Sequence, residues 1–137
     1  MLMPIYMLDT DISSYIIKQR PISVLERFEA VSVDKICISV ITLAELIYGV
    51  EHSSSTKINL PIIKNFVSCL SVLLWDCSAA ECYGKLRTIL EQKGTPIGNM
   101  DLMIAAHALS EDIIVVTNNT QHFERIPQLQ IENWVNE

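Results

Sequence analysis

The chain has 137 residues, 50% of them apolar and 19% charged, and its ten Lys and Arg against sixteen Asp and Glu leave a net charge of −6. At this length one domain over residues 1–137 is expected, and so low a charged share excludes a disordered or fibrous chain. The acidic balance excludes a protein that coats nucleic acid through overall charge, so any contact with RNA or DNA has to be local or relayed by a cation.

Cys37, Cys69, Cys77 and Cys82 lack the two-residue spacing of a zinc ribbon or redox motif, and three of them lie in apolar stretches. They read as buried free thiols of a reducing cytosol. The opening Met1-Leu2-Met3-Pro4-Ile5-Tyr6-Met7-Leu8 has no basic leader and meets Asp9 too early for a signal peptide. No apolar run approaches the ~18 residues of a membrane span. A soluble, cytoplasmic protein with no membrane contact is expected.

In chain order, Ile5 to Leu8 reads as a buried strand and Ile12 to Lys18 as a helix stopped before Pro21. Ser23 is placed to cap a short helix through Phe28. Ile36 to Ser39 is a second strand, followed by a helix from Thr42 to Val50 that ends near Gly49. Leu60 to Leu70 sets Ile62, Ile63, Phe66, Val67 and Leu70 at helical spacing, a buried stripe. Val72 to Trp75 is a short strand. Ser78, with Glu81 as capping-box partner, starts a long helix that runs to Lys93 and stops at Gly94. After a Gly-Thr-Pro-Ile-Gly loop, Asn99 to Ser110 is a helix apolar on nearly every side and therefore central. Ile113 to Val116 is a strand, and Leu129 to Trp134 holds a short final one. Alternating strands and helices predict an α/β fold of three layers, α/β/α, around a mainly parallel sheet of four to five strands.

In such sheets ligands bind beyond the carboxyl ends of the strands, and there the acids interrupt apolar sequence. Asp9 and Asp11 follow the first strand. Glu45 sits within Ile41-Thr42-Leu43-Ala44-Glu45-Leu46-Ile47. Asp101 opens the most hydrophobic helix, and Thr117-Asn118-Asn119 follows the strand at Ile113 to Val116. Each has an ordinary structural explanation: Asp11 as a helix N-cap, Asp101 as a first-turn acid favoured by the helix dipole, Glu45 as an exposed helix residue. Asp9 resists one, because a carboxylate at the buried end of a central strand is costly unless paired.

Carboxylates gathered at one edge repel one another unless a cation holds them. Mg2+ suits such a set, since it binds through a few carboxylates and waters and leaves room for phosphate oxygens. The chemistry this predicts is metal-dependent phosphodiester hydrolysis.

Four blocks stand in order: Met7-Leu8-Asp9-Thr10-Asp11; Ile38-Ser39 with Ala44-Glu45-Leu46-Ile47-Tyr48-Gly49; Pro96 to Ala108 around Asp101; and Val116-Thr117-Asn118-Asn119 with Phe123-Glu124-Arg125-Ile126. Together they resemble the VapC toxins, the PIN-domain ribonucleases of bacterial toxin–antitoxin pairs, across essentially the whole chain, including Trp134. The resemblance implies a PIN domain and a Mg2+- or Mn2+-dependent endoribonuclease. Such an enzyme cuts structured RNA, tRNA in particular, by a metal-activated water, inhibits translation, and is neutralised by a cognate VapB-type antitoxin. By position, Asp9, Glu45 and Asp101 match the acidic metal-binding residues. Asn119 falls where many PIN domains carry a fourth acid, and Asp11 stands where Asn is common. Thr10, Ser39 and Thr117 match hydroxyls that orient the acids.

His107 reads as a hydrogen-bonded structural histidine, and His52 and His122 suggest no ligand pair. Lys18, Arg20, Lys85, Arg87 and Lys93 divide between a solvated surface and a rim for RNA phosphates. Two divalent ions would bring the formal charge from −6 to about −2. The resemblance, together with the apolar stretch from Ile58 to Leu74, implies a homodimer and higher assembly with the antitoxin. Two other functions fit part of the sequence: a haloacid-dehalogenase-like phosphatase with Asp9 as nucleophile, and a non-enzymatic module that binds a basic peptide in the acidic pocket.

Overall fold

Short apolar runs bounded by turns form five strands: β1 (Tyr6–Leu8), β2 (Ile36–Ser39), β3 (Ser71–Leu73), β4 (Ile114–Val116) and β5 (Ile131–Glu132). Between them lie α1 (Thr10–Lys18), α2 (Ile22–Ala30), a single 3-10 turn at Val33–Lys35, α3 (Val40–Glu51), α4 (Thr56–Ser68), α5 (Cys77–Gln92), α6 (Asn99–Ser110) and α7 (Thr120–Phe123). This computed structural model describes residues 3–135. Met1 and Leu2, which open the segment read above as lacking a leader, lie outside the described residues, as do Asn136 and Glu137.

All pairings in the sheet are parallel, in the order β3-β2-β1-β4-β5. Leu8 stands opposite both Ile38 and Val116. Because successive strand side chains point to opposite faces, Met7, Cys37 and Val115 pack with α5, α6 and α7 through Leu86, Leu90, Leu102, Ile104 and Phe123. Leu8, Ile36, Ile38 and Val116 pack on the other face with Ile12, Ile16, Val24, Leu46, Ile63 and Phe66 of α1 to α4. The result is the expected three-layer α/β/α arrangement with five strands. Chain order reverses across β1: the first two crossovers build toward β3 and the last two toward β5. The carboxyl ends of β1 and β4 are therefore the switch point at which such sheets take their ligands.

Several local expectations shift. Ser23 does not cap α2; its hydroxyl donates to the Val135 carbonyl at 2.6 Å. The cap of α5 is Asp76, whose Oδ1 accepts from Ala79 N at 3.1 Å, so the helix starts one residue before Ser78. Gly94 does close that segment, with φ +72 and its N–H on the Glu91 carbonyl, a conformation that favours glycine. Gly49 does not end α3, which continues to Glu51. The stripe of α4 holds at Ile63, Phe66 and Val67, with Leu70 packed just beyond the helix, while Ile62 is exposed. Of the four free cysteines only Cys37 is buried, while Cys69 and Cys77 are exposed and Cys82 is intermediate. Burial pushes the Cys37 thiol up to about 12, which makes it inert as a nucleophile. No helix among the described residues is long and apolar enough to cross a membrane.

Candidate active site

Where β1 ends, the chain turns directly into α1, and the residue at that corner is Asp9. Its backbone N–H still belongs to the sheet, bonding the Val116 carbonyl at 3.0 Å. Its Oδ1 accepts from Ile12 N at 2.9 Å, so Asp9, rather than Asp11, caps α1. The side chain also bonds Thr117, at the end of β4. These bonds stabilise the carboxylate, yet with Asp9 only 2% exposed, burial wins and pushes its pKa up to about 7. The charges of Asp11 and Asp101 push the same way, and none of the groups acting on it is a cation.

Asp101 stands in the first turn of α6, a central helix, with its side chain 31% exposed. Its Oδ2 accepts from Asn119 Nδ2 at 3.0 Å. The backbone N–H of Asn119 is in turn held by Thr117 Oγ1 at 2.9 Å. Thr117 thus reaches both Asp9 and the loop that carries Asn119. The same Asn119 nitrogen lies 2.8 Å from His122 Nδ1, so a histidine dismissed on sequence stands beside the acids. Nothing in Thr120-Gln121-His122-Phe123 marks it, since one turn of helix has too few residues to show a period.

Glu45, on α3, approaches from the other side of β1. Thr10 Oγ1 donates to its Oε1 in a short bond and lies 3.4 Å from Thr42 Oγ1. Thr10, Glu45, Ser14, Lys18 and Asn59 line a groove of about 410 Å3 floored by Leu46, Val50 and Ile63. Ser39 is placed differently from the expectation that it orients an acid. Its Oγ caps α3 by accepting from Ile41 N at 3.1 Å and lies 2.7 Å from His107 Nδ1. Both residues are fully buried, and burial lowers the pKa of His107 and keeps it neutral. This bond ties the helix carrying Glu45 to the helix carrying Asp101. Ser39→Ala removes a cap and strands a buried ring nitrogen, so a loss of about 2 kcal/mol is expected; urea melts of parent and variant measure it.

The donors at this edge are oxygens, which suit a hard cation. Among the described residues no three His, Cys, Asp or Glu side chains converge tightly enough to enclose an ion. That does not argue against Mg2+, which is bound through one or two carboxylates plus waters and substrate phosphates rather than in a protein cage. A buried carboxyl raised to about 7 beside a second acid is the group such a cation would neutralise. The pair Asp9 and Asp101 therefore fits, with Glu45 to one side on Thr10. Of the cationic residues weighed as a rim, Lys18 shares a groove with Glu45. Arg87 is held on α5 by Glu91 and Tyr83.

Acids at the switch point of a five-stranded parallel sheet define a class of enzyme site, and comparison with known proteins names it. A PIN domain profile matches residues 6–129. The chain is 48% identical over 129 residues to the "tRNA(fMet)-specific endonuclease VapC" of Shigella flexneri, covering 94% of this chain and 97% of that one. It is 45% identical over 130 residues to "Ribonuclease VapC2" of Haemophilus influenzae, covering 95% and 98%. Among solved structures, DNA-bound VapBC from Salmonella typhimurium superposes with a TM-score of 0.91 at 47% identity, over 96% of this chain and 99% of that one. The chain belongs to the PIN domain family, within the VapC ribonucleases. PIN-domain ribonucleases are in general metal-dependent. These relatives support a nuclease acting on RNA; they support neither the phosphatase nor a purely binding role.

Proposed function

We propose that this chain is the toxin of a VapBC-type pair, an endoribonuclease that hydrolyses structured RNA, tRNA foremost, and so inhibits translation. The observation that carries the reading is Asp9, a buried carboxyl on which the charges of Asp11 and Asp101 act and no cation does, at the edge where an α/β sheet takes its ligands. The name of the Shigella relative supports tRNA as the substrate class.

Asp9 and Asp101 would hold the divalent ion, Mg2+ with Mn2+ as a substitute. When bound, such an ion polarises the phosphodiester and lowers the pKa of the attacking water. Thr117 aims Asp9, and the Asn119 amide aims Asp101. Glu45 completes the acidic edge at the mouth of the groove, its Oε1 fixed by Thr10. Asn119 acts through its amide as an orienting group, and Asp11 adds charge from the first turn of α1. Water oxygen bonds phosphorus, the bond from phosphorus to the 3′-oxygen breaks, and a proton from the water ends on that oxygen.

Partners follow from the surface. Tyr48 and Ile58, each 68% exposed, lie with Ile47 and Ile62 on the outer sides of α3 and α4, an apolar surface of the kind that marks an interface. A homodimer and a VapB-type antitoxin are its proposed occupants, the antitoxin supported by the VapBC complex from Salmonella.

Incubation of the purified protein with total RNA tests the activity. Internal cleavage with Mg2+, abolished by chelator and leaving 5′-phosphate and 3′-hydroxyl ends, is expected. Ends carrying a 2′,3′-cyclic phosphate would overturn the mechanism, because they report attack by the RNA's own 2′-hydroxyl.

A further inference from the structure

The proton positions around Asn119 are fixed by its neighbours, and they give His122 a defined role. A carboxylate is an acceptor only, so the Asn119 atom 3.0 Å from Asp101 Oδ2 is the amide nitrogen. That nitrogen carries two hydrogens, and the second faces His122 Nδ1 at 2.8 Å. His122 Nδ1 is therefore placed to accept, which leaves Nε2 as the ring's donor. At 3.6 Å His122 Nδ1 is too far from Asp101 Oδ2 for a hydrogen bond, so the ring is anchored through the amide alone. Its side chain is 40% exposed, and Nε2 has no hydrogen-bond partner among the described residues.

An oriented N–H donor beside the Asp101 carboxylate, with no partner among the described residues, has few uses within the protein. A lysine or arginine there would pair with the acids and compete with a cation. An imidazole held through the Asn119 amide instead turns Nε2 outward, where its N–H can donate to an anionic oxygen brought to the edge. We propose that His122 is a substrate-contacting residue, donating from Nε2–H to a non-bridging phosphate oxygen of RNA lying along Asp9 and Asp101. The proposal rests on the ribonuclease reading above.

Two variants separate the ring nitrogens. His122→Asn keeps an acceptor near the Nδ1 position and loses the outer donor; His122→Gln places an amide donor near Nε2 and loses the inner acceptor. With Mg2+, His122→Asn is expected to raise KM for a cleavable RNA about tenfold, with kcat little changed, as for one lost hydrogen bond to a charged group. His122→Gln recovers most of that KM. With Ca2+ in place of Mg2+ to hold cleavage back, anisotropy of labelled RNA should show the same order in Kd. Mn2+ affinity by calorimetry and thermal midpoint should match the parent in His122→Asn. Nitrogen NMR of the free protein, which involves no metal, should show that the singly protonated ring of His122 carries its hydrogen on Nε2. An unchanged KM in His122→Asn, a Gln variant no better than Asn, matched losses of Mn2+ affinity and stability without a KM effect, or a proton on Nδ1 would each overturn the proposal. A parent protein that neither binds nor cleaves RNA would instead overturn the ribonuclease reading itself.

Discussion

Asp101→Asn is expected to cripple RNA cleavage and leave the fold standing. An asparagine at 101 can still offer its carbonyl oxygen to Asn119 Nδ2, so the link across the site survives. What disappears is one of two carboxylates proposed to hold the cation, and a loss of at least about 10²-fold in rate is expected, the scale of one missing electrostatic partner at developing charge. In chelator two small effects oppose each other. The variant loses a first-turn acid of α6, worth about 0.3–1 kcal/mol, and it relieves the repulsion that Asp101 exerts on Asp9. Parent and variant should melt within about 1 kcal/mol of each other. Magnesium then separates them, because an ion that binds only the folded form stabilises it by about 2.7 kcal/mol at 100 times its Kd, and the variant gains less. Equal magnesium shifts would contradict a shared site; a variant that unfolds would make Asp101 structural.

The second large effect is a pH dependence of opposite sign to that of most carboxylates. In the metal-free folded chain Asp9 titrates at about 7, against an ordinary value of 3.8. The folded state therefore binds this proton more tightly than the unfolded one. The stability this confers is fully present below about pH 4 and is lost as the pH rises through about 7. At 1.36 kcal/mol per unit the total is on the order of 4 kcal/mol. Urea melts in chelator from pH 4 to 8 should show Asp9→Asn losing this decline while keeping the fold, since an amide oxygen can still cap α1 at Ile12. Saturating magnesium should flatten the parent's decline as well, because the cation takes the place of the proton. A parent whose stability rises across that range would mean that Asp9 is ionised and paired in the free protein.

Much of this was legible before the fold. An acid directly after an apolar strand, as at Asp9, and an acid opening an all-round apolar helix, as at Asp101, are costly placements that local sequence exposes. The bounds of α6 at Asn99–Ser110 matched because an all-round apolar helix flanked by Gly98 and Asp112 leaves little choice. Caps were less legible: Asp76 and Ser78 both suit the start of α5, and the choice depends on where β3 releases the chain. Ser23 lost its cap role to a partner 112 residues away. Ser39 looked like a support for the acids and instead supports α3 through His107, a contact 68 residues distant. His122 was read as isolated for the same reason: its neighbour Asn119 is three residues off, and the acid it serves is on another helix. Distances along the chain carry no information on such pairs until a sheet order of β3-β2-β1-β4-β5 puts β1 and β4 side by side.

The central claim is that Asp9 and Asp101 hold a divalent cation at the carboxyl edge of β1 and β4. Crystals soaked in Mn2+ and measured at the manganese absorption edge test it most directly. The account predicts an anomalous peak within ligand distance of a carboxylate oxygen of each, reduced or absent in Asp101→Asn. A peak elsewhere on the molecule, or none while RNA cleavage by the same preparation still requires the metal, would contradict it.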